Sequence, residues 1–192
     1  MRKLLLIVAV LLAPTASAQT KPPPKPAADT IIGSSRAPLP QREAEYIGII
    51  QNTRRQYAAA RSIDARRNTR MAMQSAVHNF MGLSHNAQDW VGVFKDSKRN
   101  PEGSRSLEIE IAPGVTIATR DNPAADAPYY TMIKQFSALG KLIDGFQIGD
   151  DVMFSADLIG AVISSDDDMV SRPQVIARFN ALKKIEPPAQ AK

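Results

Sequence analysis

An α+β chain is predicted, in which a helical segment precedes a small five-stranded barrel with one helix between its third and fourth strands. Three observations predict it. Apolar residues recur at steps of three and four between Gln41 and Leu83, the spacing of one helix face. From Asp89 onward the period falls to two, the spacing of half-buried strands. One later stretch, Met132 to Ile143, returns to helical spacing and interrupts the strands.

Two segments ahead of the helices carry no fold signal. Arg2 and Lys3 precede an unbroken apolar run, Leu4 to Leu12, and Pro14 ends it before Ala16-Ser17-Ala18. A basic start, a short apolar run and small residues at a cleavage point are the parts of a secretory signal peptide, and the run is too short to span a bilayer. Residues 1–18 are therefore expected to direct export to the periplasm or beyond. Residues 19–40 contain Pro22, Pro23, Pro24, Pro26, Pro38 and Pro40. Proline fixes φ and removes a backbone donor, so an extended, disordered linker is expected.

Residues 41–87 are expected to form a basic helical arm. Tyr46, Ile50, Thr53, Tyr57 and Ala60 share one face. Ser62 and Asp64 are suited to cap a second helix, whose stripe is Met73, Ala76, Val77, Phe80 and Met81, with Gly82 as a stop. Residues 88–186 are expected to form the barrel. Trp90, Val91, Val93 and Phe94 make a first strand with Gly92 inside it. Leu107, Ile109 and Ile111 alternate with Glu108 and Glu110 in a second. Pro113-Gly114 turns the chain into a third, Val115 to Thr119. Met132, Ile133, Phe136, Leu139 and Ile143 predict a helix. Gly149-Asp150-Asp151 is a turn, Val152 to Ile163 a fourth strand holding Gly160, and Val175 to Phe179 a fifth. Residues 187–192 are expected to be a disordered tail.

The order strand, strand, strand, helix, strand, strand is that of the OB-fold barrel, and glycines within the first and fourth strands suit the coiling that so small a barrel needs. An open α+β sheet with the same element order is the alternative. The segments Asn86 to Ser97, Leu107 to Ala112 and Gly149 to Ala156 resemble small exported bacterial OB-fold domains, similar in outline to the anticodon-binding-like OB domains of envelope proteins of unknown function. The resemblance spans roughly residues 66–165 and rests on structural motifs, so it implies a binding habit and transfers no catalytic residue.

The formal net charge of +5 averages two opposite regions. Residues 19–87 carry ten Lys/Arg and four Asp/Glu, and residues 88–186 eleven and fifteen. A basic arm followed by an acidic body points to an arm that meets an anionic surface or packs on its own domain. The absence of cysteine excludes disulfides, thiolate metal sites and thiol catalysis. No nucleophile elbow, metalloprotease motif or phosphate-cradling loop occurs, so no cofactor and no enzymatic activity are expected. A hydrolase with an unrecognised site remains the third reading.

The candidate binding surface is the face of the second and third strands with its flanking loops. One loop is basic, with Lys98, Arg99 and Arg105, and the other acidic, with Asp166, Asp167 and Asp168. Single-stranded nucleic acid needs a continuous basic groove with stacking aromatics, which this pattern does not supply. Arg54, Arg55, Arg61, Arg66, Arg67 and Arg70 form the second candidate; placed on one ideal helix they spread around its circumference. His78 and His85, seven residues apart, lack a third metal ligand. The expected function is a non-catalytic exported module that binds an envelope protein, with binding of an anionic lipid, polysaccharide or nucleic acid through the arginine arm as the alternative.

Overall fold

Pro40 precedes helix α1, Gln41–Ala59, as its N-cap, where its fixed φ and missing N–H cost nothing. After a three-residue break, residues 60–62, α2 runs over Ile63–Leu83, started by the Ser62 hydroxyl, which accepts from Ala65 N at 3.1 Å. The strands follow as β1 (Asn86–Asp96), β2 (Ser104–Arg105), β3 (Glu108–Ala112), β4 (Val115–Ala118), β5 (Ile133–Lys134), β6 (Asp151–Val162) and β7 (Gln174–Lys184). Short helices α3 (Pro123–Asp126), α4 (Ala138–Ile143) and α5 (Asp168–Ser171) lie among them. The computed structural model describes residues 39–162 and 168–186. The expected signal peptide, the linker before Leu39, Asp166, Asp167 and the tail from residue 187 lie outside the described residues.

Strands β1, β3, β4, β7 and β6 close a barrel in that order. All neighbours are antiparallel except β4 and β7, which run parallel from Thr116↔Gln174 to Ala118↔Ile176. Numbered among themselves, the five strands run 1-2-3-5-4, which is the OB-like topology. A Cβ at Gly92 would overlap the Ile109 side chain and lie 2.9 Å from the Glu110 carbonyl oxygen, so glycine is required there by the close approach of β3. Gly114 has φ +66 in the β3–β4 turn, a conformation that glycine adopts without steric cost.

The helix expected over 132–143 is shorter. Ile133 pairs instead with Arg105 in the two-residue β2–β5 ladder, and helix α4 begins only after Ser137, whose hydroxyl accepts from Gly140 N at 3.1 Å. Phe136 is 80% exposed, so its helical spacing from Met132 and Leu139 reflects no shared face. The helix that does form lies between the third and fourth barrel strands, as expected.

Both ends of the barrel are stoppered. At one end, Phe94 meets Phe146 with ring centroids 5.8 Å apart, and Ile143 of α4 is buried in the same core. At the other end, the α1–α2 hairpin lays Tyr46, Ile50, Val77 and Phe80 over the barrel interior. Trp90 joins the two parts, with its ring 5.9 Å from Tyr46, 6.5 Å from Phe80 and 6.3 Å from Phe154. Phe154 continues to Phe179 at 5.4 Å. The residues expected as an arm and those expected as a barrel thus share one core.

Polar contacts fix the hairpin in register. Arg42 donates to the carbonyls of Ser84 (2.7 Å) and Phe80 (3.3 Å), which satisfies acceptors at the α2 C-terminus. Glu43 is fully buried and its Oε2 accepts from Val91 N at 2.8 Å. The β1–β3 pairing begins only at Val93, so the carboxylate serves a donor that precedes the ladder. Arg54 donates to four carbonyls at the same end: Pro113 (2.7 Å), Ser171 (2.7 Å), Val170 (3.0 Å) and Gly114 (3.1 Å).

Replacing Glu43 by Leu leaves the Val91 N–H buried without that acceptor, and urea melts should show a loss of about 1–3 kcal/mol. Arg54→Ala should cost about 2–3 kcal/mol, and Arg54→Lys should recover little of it, because an ammonium cannot span four carbonyls in one plane.

Candidate functional site

With both ends closed, a ligand is left with the outside of the barrel. The face of β3, β4 and β7 is built from two cross-strand rows, Glu108–Ala118–Ile176 and Glu110–Thr116–Gln174. The alternation seen in the sequence explains the rows: Ile109, Ile111 and Ile117 point inward and are buried, which turns their neighbours outward. A cleft of about 180 Å³ lies over this face, bounded by Asp96, Lys98 and Ser106 on one side and Thr119, Arg120 and Asp121 on the other.

The second wall is a strap, residues 119–132, that roofs part of the face and leaves Ala118 and Ile176 buried. Asp126 holds the strap together. Its Oδ1 accepts from the Thr131 N–H at 2.8 Å and from the Thr131 hydroxyl, and its Oδ2 accepts from Met132 N at 2.9 Å. Thr131 Oγ1 in turn accepts from Arg120 N at 2.9 Å. Arg178, on the outer face of β7, donates to the carbonyls of Tyr129 and Tyr130. The Arg120 guanidinium lies 4.6 Å from the Tyr129 ring centroid, a cation–π contact.

The cleft is rich in carboxylates. Burial raises the Glu108 pKa above the ordinary glutamate value, and the charge of Asp96 raises it further, while Lys98 and Lys95 oppose the shift only in part. Both lysines are already engaged, Lys98 with Asp96 at 3.2 Å and Lys95 with Glu110 at 3.1 Å. Among the charged residues that line the cleft, Asp96 and Asp121 are matched in number by Lys98 and Arg120, so the half-buried Glu108 is the charge left over. Among the described residues, no three His, Asp or Glu side chains are grouped to hold a metal ion. His78 is exposed, and His85 Nδ1 lies 3.2 Å from the Leu158 carbonyl oxygen.

The sequence-predicted site residues divide into separate groups. Lys98 lines the cleft. Arg99 is paired to Asp144. Arg105 is 4% exposed, and its Nη1 reaches Gly140 O and Asp144 Oδ1, both at 2.9 Å, so it braces α4 against the barrel and presents nothing to a ligand. Arg54 is spent on the four carbonyls at the opposite end of the barrel. Arg55, Arg61, Arg66 and Arg67 are exposed and Arg70 is half-buried, all around the hairpin turn. The structure does not bring them to the cleft. Of the acidic loop, Asp166 and Asp167 lie outside the described residues. Sequence reasoning placed Glu108 on the correct face but gave it no role. Its neighbours are Asp96, at the end of β1, and Arg120 and Asp121, in the strap after β4, whose approach no periodicity records.

A carboxyl whose pKa is higher in the fold than in the open chain weakens the fold where it is ionised, and that deficit vanishes as pH falls below the unfolded value. Glu108→Gln should therefore raise the melting temperature at neutral pH, and the difference should close below pH ~4, near the unperturbed glutamate pKa. Thermal melts across the acid range check both points. Compared with protein-family models and with curated proteins, the chain matches none, so the cleft and its charges carry the functional reading.

Proposed function

We propose that this chain is an exported, non-catalytic binding module that holds a basic segment of a protein partner in the cleft on the outer β3–β4–β7 face. The observation that carries this reading is Glu108, a carboxylate that burial strips of part of its hydration and whose charge is left over among the charged residues lining the cleft. A lysine or arginine side chain entering beside Glu108 supplies the missing positive charge and a charge-assisted hydrogen bond. The gain is larger than at an open surface because the carboxylate has already lost part of its hydration.

The barrel's OB-like topology supports a binder, since this face is where such barrels hold ligands. The resemblance to exported bacterial OB-fold domains and the leader-like residues 1–18 support a place in the cell envelope. The carboxylates along β3 disfavour nucleic acid, whose phosphates they would repel. No helix among the described residues is long and apolar enough to cross a membrane.

Backbone amide shifts recorded while short lysine- and arginine-containing peptides are added test the reading. Residues 96–98, 106–108, 118–121 and 174–176 should move together, and affinity should rise with pH as Glu108 ionises. Glu108→Gln should weaken binding about tenfold, the worth of one charge-assisted hydrogen bond. Equal shifts with an acidic peptide, or shifts confined to other faces, would refute the proposal.

A further inference from the structure

The break at residues 60–62 divides the six arginines between two helices, and this changes what they can do. Arg54 is turned inward by its carbonyl bonds. The others surround the hairpin turn, where five arginines (55, 61, 66, 67 and 70) are accompanied by one acid, Asp64. Asp64 neutralises little, since its 3.0 Å pair with Arg67 is exposed on both sides. The Arg66 guanidinium lies 5.6 Å from the Tyr57 ring centroid, a long cation–π contact that does not neutralise its charge.

Two apolar side chains stand out of this basic surface. Ile63 is 87% exposed and Met71 58%. At 3.6 residues per turn, residues 63, 66, 67, 70 and 71 of α2 fall within about 140° of the helix circumference. A basic arc bearing isolated apolar side chains matches an anionic lipid surface, where arginines meet headgroup phosphates and the apolar groups enter the acyl boundary. Nucleic acid fits less well: it would need exposed aromatic rings to stack on, and Tyr57, the nearest aromatic ring, is half-buried. The barrel region carries the opposite charge, with fifteen Asp/Glu against eleven Lys/Arg over residues 88–186. Repulsion of that body and attraction of the tip act together to orient the molecule.

We propose that the tip of the α1–α2 hairpin docks on anionic phospholipid bilayers, with Ile63 and Met71 inserted and Arg55, Arg61, Arg66, Arg67 and Arg70 on the headgroups. The proposal is independent of the cleft.

The test uses the full chain with vesicles of phosphatidylcholine alone or mixed with phosphatidylglycerol. The chain has no cysteine, so Met71→Cys and, on the barrel, Tyr130→Cys each give a single site for an environment-sensitive fluorophore. The expected result is sedimentation with the mixed vesicles only, reversal by added salt, and a blue shift of the probe at position 71 but not at 130. Replacing Arg55, Arg61 and Arg67 by Gln should weaken partitioning on the order of a hundredfold, about fivefold per arginine. Ile63→Ser should weaken it about tenfold without changing the salt dependence. Circular dichroism confirms that each variant folds, and Ile63→Ser with the salt series decides the matter if the triple variant does not. Equal binding to neutral vesicles would overturn the proposal, as would unchanged binding after the arginine replacements. So would a silent probe at 71 on sedimented protein, which attachment through residues 1–18 would give. Binding to an oligonucleotide or a sulfated polysaccharide without binding to mixed vesicles would do the same.

Discussion

The structure depends on the burial of Trp90 between the helical hairpin and the barrel. Its ring touches the two helices through Tyr46 and Phe80 and touches the barrel interior through Phe154. Each such aromatic pair contributes about 0.5–1.5 kcal/mol beyond the area it buries. Ile50 and Val77 are buried in the same core, and Arg42, Glu43 and Arg54 add bonds to backbone atoms. Neither helix is rich enough in intrinsic propensity to be stable alone, and isolated helices of this length are marginal in water. Their order comes from covering an apolar barrel end that would otherwise be wet. A chain without disulfides thereby obtains one continuous core from two segments of very different secondary structure.

The same arrangement explains the division of polar labour. The buried groups Arg42, Glu43 and Arg54 all serve backbone atoms at the hairpin end, and Arg105 does the same for α4 at the other. Arg105 adds an ion pair with Asp144 to its carbonyl bond. These side chains act as connectors between elements that have no shared ladder. The charged residues of the cleft and those of the hairpin turn lie at separate places on the surface.

Periodicity made the fold legible. Both helices, the Ser62 cap, the five barrel strands and the Pro113-Gly114 turn follow from spacings of two or three to four, because each of these elements has one wet face and one dry face. The helix over 132–143 was overextended for the same reason: Met132, Ile133 and Phe136 keep helical spacing, yet Ile133 is held by a cross-strand pair with Arg105 and Phe136 points into solvent. Tertiary pairing overrode local pattern. The roles of the charged residues were less legible. Nothing in the neighbourhood of Glu43 or Arg105 distinguishes a buried connector from a solvated charge, since their partners are 48 and 35 residues away. The cleft was invisible because its two walls, around Asp96 and around Arg120, meet only after the barrel closes.

The parallel contact between β4 and β7 sets the order in which the molecule can form. Strand β7 is the last element of the barrel, and it must bond to β6 on one side and β4 on the other. Pairing across so long a loop is slow, because the chain entropy of closure is lost before the contacts repay it. Until residues 174–184 arrive, Phe154 and Val152 have no complete cavity to fill, and the sheet keeps two open edges. A nascent chain in that condition keeps those edges exposed and is susceptible to association, and the seam closes only when the whole of β7 is available to both of its neighbours.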